Sequence, residues 1–121
     1  MESILNSTKK KLGIAADYTH FDDGDLIDHI NSVFMELTLL GVGPTEGFII
    51  EDENAVWEDF IPNPLHLQAV KTYVFLNVKL IFDPPQSSSV LTAYQEQIKS
   101  LEWKLNVIAE SIQSTQEEVT T

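Results

Sequence analysis

Three histidines and nineteen carboxylates are the side chains in this sequence best suited to acid–base or metal chemistry. Their spacing does not organise them for it. His20, His29 and His66 contain no pair three or four residues apart, as two ligands on one helix face must be, so all three read as surface histidines. The stretch "DDGD", Asp22 to Asp25, has the carboxylate density of a calcium loop. It lacks the alternating D-x-D-x-D-G register and a glutamate at the twelfth position, and it reads instead as a helix start. Carboxylates also crowd between Glu51 and Asp59, with no histidine or lysine among them to separate two pKa values into an acid and a base. Ser87 to Ser89 stand in no nucleophile elbow or phosphate loop, and "GVG" at Gly41 to Gly43 is too short for a dinucleotide fingerprint. The expectation is a protein that is not an enzyme and that takes no metal or cofactor.

Charge narrows the partners. The 121 residues carry a net charge of -12, and from Asp17 to Phe60 there are twelve carboxylates without one lysine or arginine. The chain has no arginine at all, so the forked donor that reads phosphates and guanines is missing. Its seven lysines are Lys9, Lys10, Lys11, Lys71, Lys79, Lys99 and Lys104, of which the first three read as a solvated helix face. A surface of this sign repels nucleic acid and suits basic protein partners. Without cysteine there is no disulfide, thiolate nucleophile or zinc–thiolate site, which fits a reducing compartment. No apolar run approaches the roughly 20 residues that span a bilayer, and "MESILNSTKKKLGI" lacks the apolar core and cleavage site of a signal peptide. A single domain that works where it is made, without a membrane, is expected.

The elements that must position these residues read as helices. The first covers about Ser3 to Leu12, with Ile4, Leu5, Thr8 and Leu12 on one face and Gly13 placed to end it. The second, about Asp23 to Leu40, repeats Leu26, Ile27, Ile30, Val33, Phe34, Leu37 and Leu40 at helical spacing, with aspartates suited to its positive end. Between Gly41 and Pro64 the pattern breaks into "GFII", a candidate short strand, and "EDENAVWEDF", a candidate helical turn. The third helix, Pro64 to Phe82, is apolar nearly all round: Leu65, Leu67, Val70, Val74, Val78 and Ile81 form one stripe, Tyr73, Leu76 and Leu80 another. A helix with two apolar faces is central in a bundle or shared with another subunit. The fourth, about Ser88 to Ile112, sets Leu91, Tyr94, Ile98, Leu101, Leu105, Ile108 and Ile112 at alternating spacings of three and four, a heptad seam. Trp103 and Val107 lie off that seam. The fold class expected is all-α: a bundle of about four helices with an irregular acidic insertion, over residues 1–113, followed by a mobile polar tail, 114–121.

Between the last two helices stands "FDPPQSSS". Pro84 and Pro85 lack amide donors and push their predecessors away from helix, while the serines favour a new helix start. Phe82, Asp83, Pro84 and Pro85 therefore read as the stiff corner of an antiparallel helical hairpin.

The runs "ILNSTKKKLGI", "DDGDLIDHINSVFMELTLLGVGP", "VWEDF", "LQAVKTYVFLNVKLIFDPP" and "IKSLEWKLN", in that order, resemble the head–tail connector (adaptor) proteins of tailed bacteriophages and prophages. The resemblance spans about residues 4 to 106, and "KTYVFLNVKLIFDPP" is its most specific block. It implies a ring of about twelve copies under the portal protein of the filled head. Such a ring extends the DNA channel and offers a platform to a stopper or tail-completion protein. DNA would pass without specific binding. The implied location is the neck of the virion, after assembly in the bacterial host cytoplasm. The tail "SIQSTQEEVTT" matches nothing in that pattern. On this reading Tyr73, Leu76, Leu80, Trp103 and Val107 are candidates for an oligomer or packing surface. Glu46, Glu51, Asp52, Glu53, Glu58 and Asp59 are candidates for an acidic channel or partner surface. Two alternatives belong to other classes: an acidic inhibitor or DNA mimic that fills a basic partner's groove, and a homodimer held by the fourth-helix seam.

Overall fold

Caps in the sequence set where the helices begin. The computed structural model describes residues 2–13 and 23–120, with side chains placed for 2–13 and 24–110. Its five helices are α1 (Ile4–Lys11), α2 (Asp23–Leu39), α3 (Trp57–Phe60), α4 (Pro64–Phe82) and α5 (Ser88–Thr120). Ser3 caps α1, its Oγ accepting the Asn6 N–H at 3.2 Å, and the lysines at 9–11 sit at the negative end of that helix. Asn63 caps α4 by accepting the N–H groups of Leu65 and His66 at 2.9 and 3.3 Å, and Pro64 fills a first-turn position that needs no donor. α2 ends as Gly41 turns to φ +86°, which lets the Val42 N–H reach back to the Leu37 carbonyl at 2.9 Å. The molecule is an all-α bundle, and no strand occurs among the described residues.

α4 is the central element and packs against α1, α2 and α5. Its Leu67, Val70, Tyr73, Val74 and Val78 are buried. α2 contributes Leu26, Ile30, Val33, Phe34 and Leu37 to the core, α1 contributes Ile4 and Leu5, and α5 contributes Ile98, Leu101, Leu105 and Ala109. Each large side chain taken fully out of water stabilises the fold by roughly 1.5–3 kcal/mol before entropy is counted. The apolar stripe expected along α4 is buried only over its middle, because Leu65 and Ile81 are exposed. A central helix is covered only where its neighbours flank it. Likewise the α5 seam is buried from Ile98 to Leu105, while Leu91 and Tyr94 are half-exposed near its start. The helix itself runs to Thr120, past its expected end at Ile112. The side chains of the tail 114–121, like His20 and Asp22, lie outside those described.

Two details depart from the sequence-based expectations. "GFII" forms no strand. The Ile50 N–H donates to Asn31 Oδ1 at 2.8 Å and the Ile50 carbonyl accepts from Asn31 Nδ2 at 3.0 Å, so a side-chain amide on α2 replaces a partner strand. The isolated β-bridge in the described residues joins Ser3 to Val56. Lys9 is buried rather than solvated, because it follows Leu5 by four positions and shares that residue's inward face. Lys11 remains exposed, its Nζ 5.7 Å from the centroid of the Phe75 ring.

The expected helical turn in the insertion is α3, and it delivers Trp57 to the core. The Trp57 indole N–H donates to Ser7 Oγ at 2.8 Å, and the ring meets Phe75 edge-on at 5.6 Å. Phe60, one turn on, completes a cluster with Phe34 and Phe48 at centroid distances of 4.8 and 5.2 Å. The Ile4 N–H bonds the Ala55 carbonyl at 3.0 Å, so the N-terminal helix is pinned to the insertion. Gly43, at φ +84°, passes so close to Phe60 that a Cβ there would collide with the ring.

Candidate assembly surfaces

The hairpin corner is fixed from both sides. α4 stops at Phe82, where the Asp83 N–H still bonds the Lys79 carbonyl at 2.8 Å and the Asp83 carboxylate pairs with Lys79 Nζ at 3.1 Å. Phe82 is partly buried against the core and stands edge-on to His29 of α2, with centroids 5.1 Å apart. After Pro84 and Pro85, the Ser87 carbonyl accepts the Leu91 N–H at 3.0 Å to open α5. α5 then returns along α4.

Where the two helices meet α2, Tyr73 lies inside the fold, its hydroxyl 3.1 Å from Glu36 Oε2 and 3.2 Å from Glu102 Oε1. Burial, then the charges of Glu102 and Glu36, pushes the phenol above its usual range, so it stays protonated and donates to one carboxylate at a time. Asn106 Nδ2 adds a bond to the Leu40 carbonyl at 3.3 Å, tying α5 to the end of α2.

The structure does not gather the five candidate packing residues into one patch. Tyr73 is interior. Leu76 faces α1, lining with Lys11, Leu12, Phe75 and Lys79 a cavity of about 230 Å³. Leu80 is partly buried against the core. Trp103, at 69% exposure, and Val107 lie on the outer face of α5, opposite Leu101 and Leu105.

Glu46, Glu51, Asp52, Glu53 and Asp59 are exposed, and Glu58 is half-buried with Oε2 lacking a partner. Two of them shape the chain locally: Asp52 Oδ1 accepts the Asn54 N–H at 2.9 Å and Asp59 Oδ2 accepts the Val56 N–H at 3.1 Å, at the start of α3. His29 packs on Phe82 and His66 is half-buried with Nδ1 unpaired. Among the described residues no group of three or more potential ligands could hold a metal ion, and no helix is long and apolar enough to cross a membrane.

One surface was missed in the sequence. α2 turns Met35 (66% exposed) and Leu39 (82%) away from the core, and Ile49 (66%) stands out from the adjoining segment. Between Met35 and Ile49 runs a groove of about 570 Å³ whose walls include Asp28, Glu46 and Phe48. The available signal was two apolar residues four apart on the polar side of α2. Ile49 could not be placed beside them without knowing that Asn31 holds Ile50.

The sequence model of a family described as phage connector protein matches residues 4–111. No curated protein and no solved structure matches the chain.

Proposed function

The chain belongs to the phage connector protein family, and from that premise we propose that it forms a ring of about twelve copies beneath the portal. Membership makes it a structural phage protein that assembles with other head and tail components. In the finer reading, the ring lengthens the DNA channel and presents a platform for a stopper or tail-completion protein. It would occupy the virion neck after assembly in the host cytoplasm. The observation that carries this reading is the presence of large exposed apolar side chains on two separate faces: Met35, Leu39 and Ile49 on one, Trp103 and Val107 on the other. A closed ring needs two different contact faces on every copy. The exposed carboxylates of the insertion, from Glu46 to Asp59, suit either the channel wall, where they repel phosphate, or the contact with the next neck component. The polar segment 114–121 adds grip on the portal.

Co-sedimentation with DNA-filled, tailless heads tests the docking. Full-length protein is expected to pellet with heads, and protein lacking residues 114–121 to fold normally but pellet less. Undiminished binding by the truncation would remove the tail from the mechanism. Failure of the full-length protein to bind heads, together with competition against DNA for a basic partner, would favour the mimic.

A further inference from the structure

The outer face of α5 carries an apolar ridge with lysines beside it, and the α2 groove carries apolar walls with carboxylates. Trp103 and Val107, one helical turn apart, form an apolar ridge flanked by Lys99 on one side and Lys104 on the other. Both lysines are exposed and make no ion pair among the described residues. Between the two lysines the remaining charge is Glu102, which bonds the Tyr73 hydroxyl; exposed Glu96 and Glu110, seven residues before and after Trp103, share its face at the two ends of the ridge. The groove has the opposite character. Met35, Phe48 and Ile49 form apolar walls, while Asp28 and Glu46 supply exposed carboxylates without a lysine. A tryptophan seated in such a groove buries roughly 150–250 Å² and is the type of residue that anchors an interface.

We infer that Trp103 and Val107 of one copy dock in the groove between α2 and the 46–49 segment of the next copy, with Lys99 and Lys104 meeting Asp28 and Glu46. Groove against groove would oppose carboxylates to carboxylates, and ridge against ridge would leave the apolar, acidic groove uncovered on both copies. Ridge into groove is a head-to-tail contact that leaves a free ridge and a free groove at the two ends, so it propagates until a ring closes. The inference rests on the ring reading and specifies its subunit contact.

The absence of cysteine allows a direct test. Ile49→Cys and Val107→Cys proteins are prepared separately, mixed at high concentration and treated with a short bismaleimide. The mixture is expected to yield a cross-linked dimer containing one of each variant, and neither variant alone to yield one. Adding Lys99→Glu and Lys104→Glu to the Val107→Cys protein is expected to lower the yield about tenfold, and adding Asp28→Lys and Glu46→Lys to its partner to restore it. Trp103→Ala should weaken self-association by a similar factor without lowering the melting temperature. Dominant cross-linking of the Val107→Cys protein to itself, or failure of the paired reversal to restore the yield, would overturn the contact. A ring-sized mass without the mixed cross-link would overturn this contact and leave the ring standing. The absence of any assembly, free or on portal-bearing heads, would overturn both.

Discussion

Tyr73 connects α2, α4 and α5 through one hydroxyl between two carboxylates. Tyr73→Phe keeps the ring and removes the donor, leaving Glu36 and Glu102 to face each other without it. A loss of about 1–2 kcal/mol is expected in denaturant unfolding. The phenol also sets an alkaline limit. Its folded pKa is raised above the unfolded value, so its contribution is complete below about pH 10, where the unfolded chain still holds the proton. Above that pH the unfolded chain releases the proton first and stability falls as pH rises towards the folded value. A Tyr73→Phe protein should lose this part of the alkaline decline, which thermal melts between pH 9 and about pH 11 would measure. At Gly43 the backbone and the Phe60 ring exclude a side chain together. Gly43→Ala is expected to cost about 1–3 kcal/mol, and an unchanged melt would show that the turn can move away from Phe60.

Among the elements, α5 and the hairpin corner decide how the bundle is held. Leu101 is buried in the seam and Gln97, one turn earlier, is exposed. Leu101→Asp should therefore cost several kcal/mol, comparable to the whole stability of a small domain. Gln97→Asp should cost about half a kcal/mol or less. Equal melting temperatures for the two would refute the seam. Replacing Pro84 and Pro85 together by Ala should cost roughly 1 kcal/mol through the entropy of the unfolded chain. Ring assembly should suffer more than folding, because the corner aims α5; an equal loss of both would deny it that part. The long helices were legible because periodic apolar residues and caps are local: Pro64 and Phe82 bound α4 as the sequence indicated. Trp57 was not legible as a core residue. It sits in an aperiodic acidic stretch, and its burial depends on Ser7, fifty positions away. The pairing of Asn31 with Ile50 spans nineteen positions and left no local pattern either, so "GFII" resembled a strand. Lys9 was misplaced because its residue type outweighed its register with Leu5.

At the scale of the whole molecule, sequence readily showed that the chain has apolar helix surface to spare, but not where it lies. Tyr73 and much of α4 are used internally, and the outward set includes Met35, Leu39 and Ile49 on one face and Trp103 and Val107 on another, beside Leu65, Ile81 and Val90 near the helix ends. That division follows from which side of α2 and α5 meets α4, a tertiary choice. It leaves each copy with two unlike faces, the requirement for a ring and a poor design for a free monomer. On the proposed reading, the exposed carboxylates of the insertion would give such an assembly a surface that repels phosphate. The mass of the purified full-length protein, measured by sedimentation velocity alone and then with portal rings, tests the account most directly. An assembly of about twelve copies is expected, either formed freely or appearing when the portal is added. A monomer or dimer that stays so in the presence of the portal would contradict it.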